Sequence, residues 1–148
     1  PDYVCAAEIM NGSAPALHDY DNLRTAIDTF IRLGVTELPV LARSGEMVGV
    51  VNACVLLKTC LPDYLLRMGD LSPIINFEPF STIIHNEENT LLADVPLTDF
   101  ASVQIKAPAV SVAAKMTRHG TDNCYVLNDR KLAGVIRLTA FLNKVFRE

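Results

Sequence analysis

The chain has 148 residues and a mass of 16.2 kDa, enough for a substantial apolar core in one domain or two small halves. Half of the residues are hydrophobic and 20% are charged, which excludes a disordered tail. With 13 basic against 17 acidic side chains, the net charge of −4 lacks the basic excess a non-specific nucleic-acid binder needs.

In chain order, the first signal is a short extended stretch at Ala14–His18. From Asn22 to Leu33 the apolar positions Leu23, Ala26, Ile27, Phe30 and Ile31 form the stripe of an amphipathic helix, closed by Gly34 at a left-handed C-terminal position. Two strands follow, Leu38–Leu41 and Met47–Val51, joined by the polar turn Ala42–Glu46 as a hairpin. A closing helix then carries Ala53, Leu56, Leu57, Cys60 and Leu61 on one face.

The pattern recurs. At an offset of 86, Ala109, Val112, Ala113, Met116 and Thr117 repeat the helical stripe, Gly120 repeats Gly34, and Cys124–Leu127 repeats the first strand. The turn Asn128–Lys131 is one residue shorter. At an offset of 85, Leu132–Ile136 therefore repeats the second strand, and Leu138, Phe141, Leu142, Val145 and Phe146 repeat the closing helix. An extended stretch at Ala101–Ile105 precedes this copy. The reading is an α/β chain with repeats at 1–61 and 94–148 and a connector at 62–93, in which Tyr64, Leu65, Leu66 and Met68 suggest one short helix and Phe80–Ile84 another. Charge divides as −3, −4 and +3 over these three segments, so the second repeat suits an anionic ligand better.

Other chemistries find little footing. Cys5, Cys54, Cys60 and Cys124 form no C-x-x-C pair, so no zinc site is expected. The last three sit in apolar runs and should pack as small hydrophobes in a reducing cytoplasm. His18, His85 and His119 show no catalytic or metal-ligand spacing. His119 precedes Gly120, where a cation suits the helix dipole, and Glu87-Glu88 reads as a solvated face. No glycine-rich phosphate loop occurs. No catalytic residue and no metal ligand are assigned, and an enzyme is not expected. The longest apolar run, Met47–Leu57, is too short to span a bilayer and carries Asn52. Pro1 opens the chain with no basic-then-apolar leader, so no signal peptide is expected, and an attached effector domain in a longer protein remains open.

Leu33–Val40 with Gly45–Val51, and His119–Leu127 with Lys131–Ile136, resemble a tandem pair of CBS domains, the Bateman module. The resemblance implies two strand–helix–strand–strand–helix repeats packed through their sheets, pairing further into homodimers. It also implies a regulatory role, with AMP, ADP, ATP or S-adenosylmethionine bound between the repeats. The family's signature is glycine, two apolar residues, a hydroxyl residue, two variable residues, then an acidic or amide residue accepting from ribose. Here Gly49–Val55 has Asn52 and Val55 at those two positions, and Gly134–Ala140 has Arg137 and Ala140. Both ribose acceptors are missing.

Asn52 is a good helix N-cap, and so is Thr139, which is also placed to stand in for the missing hydroxyl. Arg137 can clamp a phosphate, remain solvated or pair with Asp129. By resemblance, adenine would lie against Ala16, Leu17 and His18, Leu38 and Pro39, Gln104 and Ile105, and Asn123 and Tyr125. Tyr125 is equally suited to core packing. Two readings stand: a ligand sensor, favoured by the basic second repeat, and a homodimerisation module with a decayed site, favoured by the missing acceptors.

Overall fold

The computed structural model describes residues 3–61, 67 and 85–147. The connector helices expected on Tyr64, Leu65, Leu66 and Met68 and on Phe80–Ile84 lie outside the described residues. The described elements are α1 (Ala6–Ile9), β1 (Leu17–His18), α2 (Leu23–Leu33), β2 (Glu37–Leu41), β3 (Met47–Asn52) and α3 (Ala53–Cys60). A 3-10 turn (Leu92–Asp94), β4 (Ser102–Gln104), α4 (Ala109–His119), β5 (Asn123–Asn128), β6 (Lys131–Arg137) and α5 (Leu138–Phe146) follow.

Each half is a three-stranded sheet, ordered β1-β2-β3 and β4-β5-β6, with a parallel leading strand and an antiparallel hairpin. The leading strands are shorter than the stretches expected. Pro15 has no N–H to donate, and β1 pairs only as Leu17–Val40 and His18–Leu41 before the chain turns at Asp19. The main helices start and stop as their sequence dictates. Asn22 Oδ1 accepts from Thr25 N–H at 2.8 Å, and Gly34 and Gly120 end α2 and α4 at φ 65° and 60°.

Two cores lie beneath the sheets, and a third cluster of Met47, Val50, Tyr125 and Val135 joins the sheets face to face. The expected helical stripes are only partly buried. Ile31 is 74% exposed, and Leu57, Leu138, Leu142, Val145 and Phe146 face outward, because each helix sets one narrow row against its sheet. Cys60 and Cys124 are buried, but Cys54 is exposed, since it sits on the outer side of the first turn of α3.

Chain order and spatial order differ at the entry to each half. α1 places Ala6 and Ile9 in the second core, while Leu92 and Val95 lie in the first. These two segments are themselves related by the offset of 86. After each, the crossing chain presses on the glycine of the other half's hairpin. A Cβ at Gly134 would stand 2.7 Å from the Asn11 carbonyl oxygen, and one at Gly49 would stand 2.8 Å from Leu97 Cβ. Glycine occupies both positions because neither leaves room for a side chain.

Candidate functional site

The hairpins meet near the N-terminal ends of β2 and β5, which the repeat relates to one another. There Glu37 Oε2 accepts from Asn123 Nδ2 at 2.7 Å and from the Tyr125 hydroxyl at 3.0 Å. Asn123 Oδ1 in turn accepts from Arg137 Nη1 at 3.2 Å. Glu37 and Asn123 are equivalent positions in the two repeats, 86 residues apart, so this bond crosses the pseudo-symmetric seam. β-pairing sets Glu37 opposite Asn52 and Asn123 opposite Arg137.

A cleft of about 390 Å³ opens over this network, walled by Gly34–Glu37 of the first half and by Asp122, Asn123 and Arg137–Thr139 of the second. α5 begins here without a side-chain cap, and Leu138 N–H donates to the Asp122 carbonyl at 2.9 Å. The remaining first-turn N–H groups and the Arg137 guanidinium give this wall its positive character. The expectation that Thr139 caps the helix is not met. The helix starts at Leu138, so the Thr139 hydroxyl lies inside the first turn rather than ahead of it. Arg137 does not pair with Asp129, whose backbone N–H and carbonyl are both bound by the Gln104 amide at 2.9 Å. Asn52 does cap its helix, accepting from Cys54 N–H at 2.7 Å.

The other candidates fall into two groups. Leu38, Pro39 and Tyr125 lie beneath the cleft, where the gap they share with Ala14, Pro15 and Val135 is only about 10 Å³. Tyr125 is 3% exposed and meets Phe100 edge-on at 6.1 Å, so its ring has no face free for a base. Burial first, then the Glu37 carboxylate, pushes its phenol well above the usual range, which keeps it a protonated donor. A second hollow of about 170 Å³, bordered by Phe100, His119, Thr121 and Tyr125, shares Glu37 and Asn123 with the main cleft.

Ala16, Leu17, His18, Gln104 and Ile105 are not brought to the cleft. Leu17 and His18 pair with Val40 and Leu41 of β2; β4 pairs with β5 from Tyr125 onward, but Gln104 and Ile105 meet it at Leu127, toward the end away from Asn123. Leu17 is in the first core, and Ile105 packs on the second. His18 stacks on Tyr20 at 5.0 Å, and Arg43 lies 4.0 Å above the same ring. Among the described residues, no cluster of three or more His, Cys, Asp or Glu is placed to hold a metal ion. Sequence reasoning missed Glu37, whose partners lie in the other repeat. The one available signal was its register with Asn123.

Against known proteins, the CBS domain family matches residues 6–60 and again residues 92–147. No curated protein matches the sequence. Among solved structures, a CBS domain-containing protein of unknown function from Kribbella flavida DSM 17836 superposes with TM-score 0.84 at 16% identity, covering 96% of this chain and 98% of its own. CBSX2, solved in complex with AMP, matches at TM-score 0.67 and 16% identity, covering 97% and 96%. The CBS domain of the bacterial CNNM/CorC family Mg2+ transporter, solved in complex with ATP, matches at 0.66 and 17%, covering 98% and 89%. At these identities the likeness is one of fold.

Proposed function

Because the chain belongs to the CBS domain family, as two repeats in tandem, we propose that it is a non-catalytic regulatory module whose cleft takes a small anionic ligand. The observation that carries this reading is the 390 Å³ cleft in which the Arg137 guanidinium, the uncapped start of α5 and the Glu37–Asn123 network converge. Arg137 would hold the anionic group, helped by the first N–H groups of α5. Glu37 would accept from hydroxyl or amino groups, the task left vacant by Val55 and Ala140. AMP and ATP in related structures support an adenosine-containing ligand, and AMP, ADP, ATP and S-adenosylmethionine form its natural panel. Four free cysteines suit a reducing compartment, and we place the protein in the cytoplasm. No described helix is long and apolar enough to cross a membrane.

Thermal unfolding with this panel, NADH and cyclic dinucleotides tests the proposal. A true ligand at 100 times its Kd stabilises by about 2.7 kcal/mol, and Arg137→Ala should remove most of that gain. No stabilisation by any member would count against the sensor. The homodimer reading rests on a separate observation. Leu57, Leu142 and Phe146 are 52%, 44% and 74% exposed on the closing helices, an apolar surface suited to a second copy. Sedimentation velocity should show a dimer, and a monomer at high concentration would reject that reading.

A further inference from the structure

The same cleft has a charge balance that restricts what can occupy it. Its walls carry two carboxylates, Glu37 and Asp122, against one guanidinium, Arg137. Glu37 and Arg137 are bound to opposite ends of the Asn123 amide, at 2.7 and 3.2 Å, so one short side chain separates the two charges. Both known bonds to the carboxylate fall on Oε2. Among the described residues Oε1 takes no hydrogen bond, and Arg137 forms no ion pair, so each retains bonding capacity at the cleft. Neither is masked by the other.

We infer that Glu37 sets the charge class of the ligand: the cleft accepts a molecule with one phosphate or carboxylate beside a hydroxyl or amino donor, and disfavours polyphosphates. This rests on the proposed binding reading and narrows it. The first anionic group meets Arg137 and the start of α5. Each further phosphate is crowded toward Glu37, whose partial burial leaves repulsion less screened than on an open surface, and toward the exposed Asp122 on the same wall. A hydroxyl or ammonium group of the ligand, by contrast, completes the free Oε1. Specificity here comes from a repulsive element as much as from an attractive one.

Calorimetric titration of the protein with AMP and ATP, without added divalent metal, tests this. Wild type should bind AMP more tightly than ATP. Glu37→Gln is close in shape and can still accept from Tyr125. It should shift the ATP-to-AMP affinity ratio toward ATP by about tenfold or more, while circular dichroism reports an intact fold. If Glu37→Gln fails to fold, the wild-type comparison decides, and equal or tighter ATP binding overturns the inference. An unchanged ratio in a folded Glu37→Gln, with Arg137→Ala still weakening AMP, overturns the charge selection and leaves the site reading standing. Binding of neither nucleotide to wild type or Glu37→Gln removes both.

Discussion

Tyr125 and Cys124 are neighbours on β5, yet they behave differently because one faces the seam and the other the core. Tyr125 gives its hydroxyl to a carboxylate, so Tyr125→Phe should cost about 1.5–3 kcal/mol in urea denaturation near pH 7, the usual value of a hydrogen bond to a charged group. A cost near zero would mean that Glu37 readily finds another donor. Burial pushes the Cys124 thiol up to about 11, with the Lys115 charge opposing, and raises Cys60 as well. Groups raised on folding hold their protons longer in the native state. Their stabilising effect is full below the ordinary thiol value and is lost as the pH climbs through the folded one. Stability should therefore be flat to about pH 8.5 and fall between about pH 9 and 11, as read from urea midpoints. Stability that rises over that interval would contradict the burial assigned to these thiols. The same contrast predicts labelling order. Cys54 is exposed and should react with a thiol reagent at once, whereas Cys124 should react only on unfolding.

Among the elements, the two crossing segments show why the hairpin glycines are where they are. At Gly134 the obstacle includes the Asn11 backbone carbonyl, itself fixed by its pairing with Val135, whereas at Gly49 it is the Leu97 side chain. Gly134→Ala should cost about 1–3 kcal/mol, as overpacking does, and more than Gly49→Ala. Equal costs in thermal unfolding would show that the crossing backbone yields as easily as a side chain. These segments were not legible in the sequence. A four-residue helix such as Ala6–Ile9 is too short to display a period, and its equivalence to Leu92–Asp94 emerges only once both are seen in the opposite cores. The longer elements were legible because eleven residues over α2 and again over α4 repeat both the apolar spacing and the stopping glycine. The outward rows on α3 and α5 were not, since apolar periodicity marks which residues share a face and not which face the core takes.

The whole molecule is held together by exchange: each core is completed by residues from the other half's entry segment. Residues 1–61 contribute Ala6 and Ile9 to the second core, and residues 85–147 contribute Leu92 and Val95 to the first. The two pieces expressed separately should each fail to fold and should regain native circular dichroism when mixed. Independent folding of either piece would contradict this mutual completion. The candidate site follows the same logic, and for that reason it was only half visible in the linear chain. Asn123, Arg137 and Thr139 could be named from the second repeat alone, but Glu37 belongs to the first and becomes meaningful only where the strand starts meet. Some of the expected adenine-contact residues lie away from this cleft for a related reason. Strand pairing carries Leu17–His18 and Gln104–Ile105 toward the ends of β2 and β5 away from Glu37 and Asn123, which the one-dimensional alignment of repeats does not reveal.

Whether the seam between the repeats holds a ligand is decided by a titration of isotope-labelled protein with AMP followed by amide and side-chain NMR shifts. A ligand in the cleft should produce saturable changes concentrated at Gly34–Glu37, Asp122–Asn123 and Leu138–Thr139, with the Arg137 guanidinium among them. No saturable change, or changes confined to the outer faces of α3 and α5, would contradict that reading.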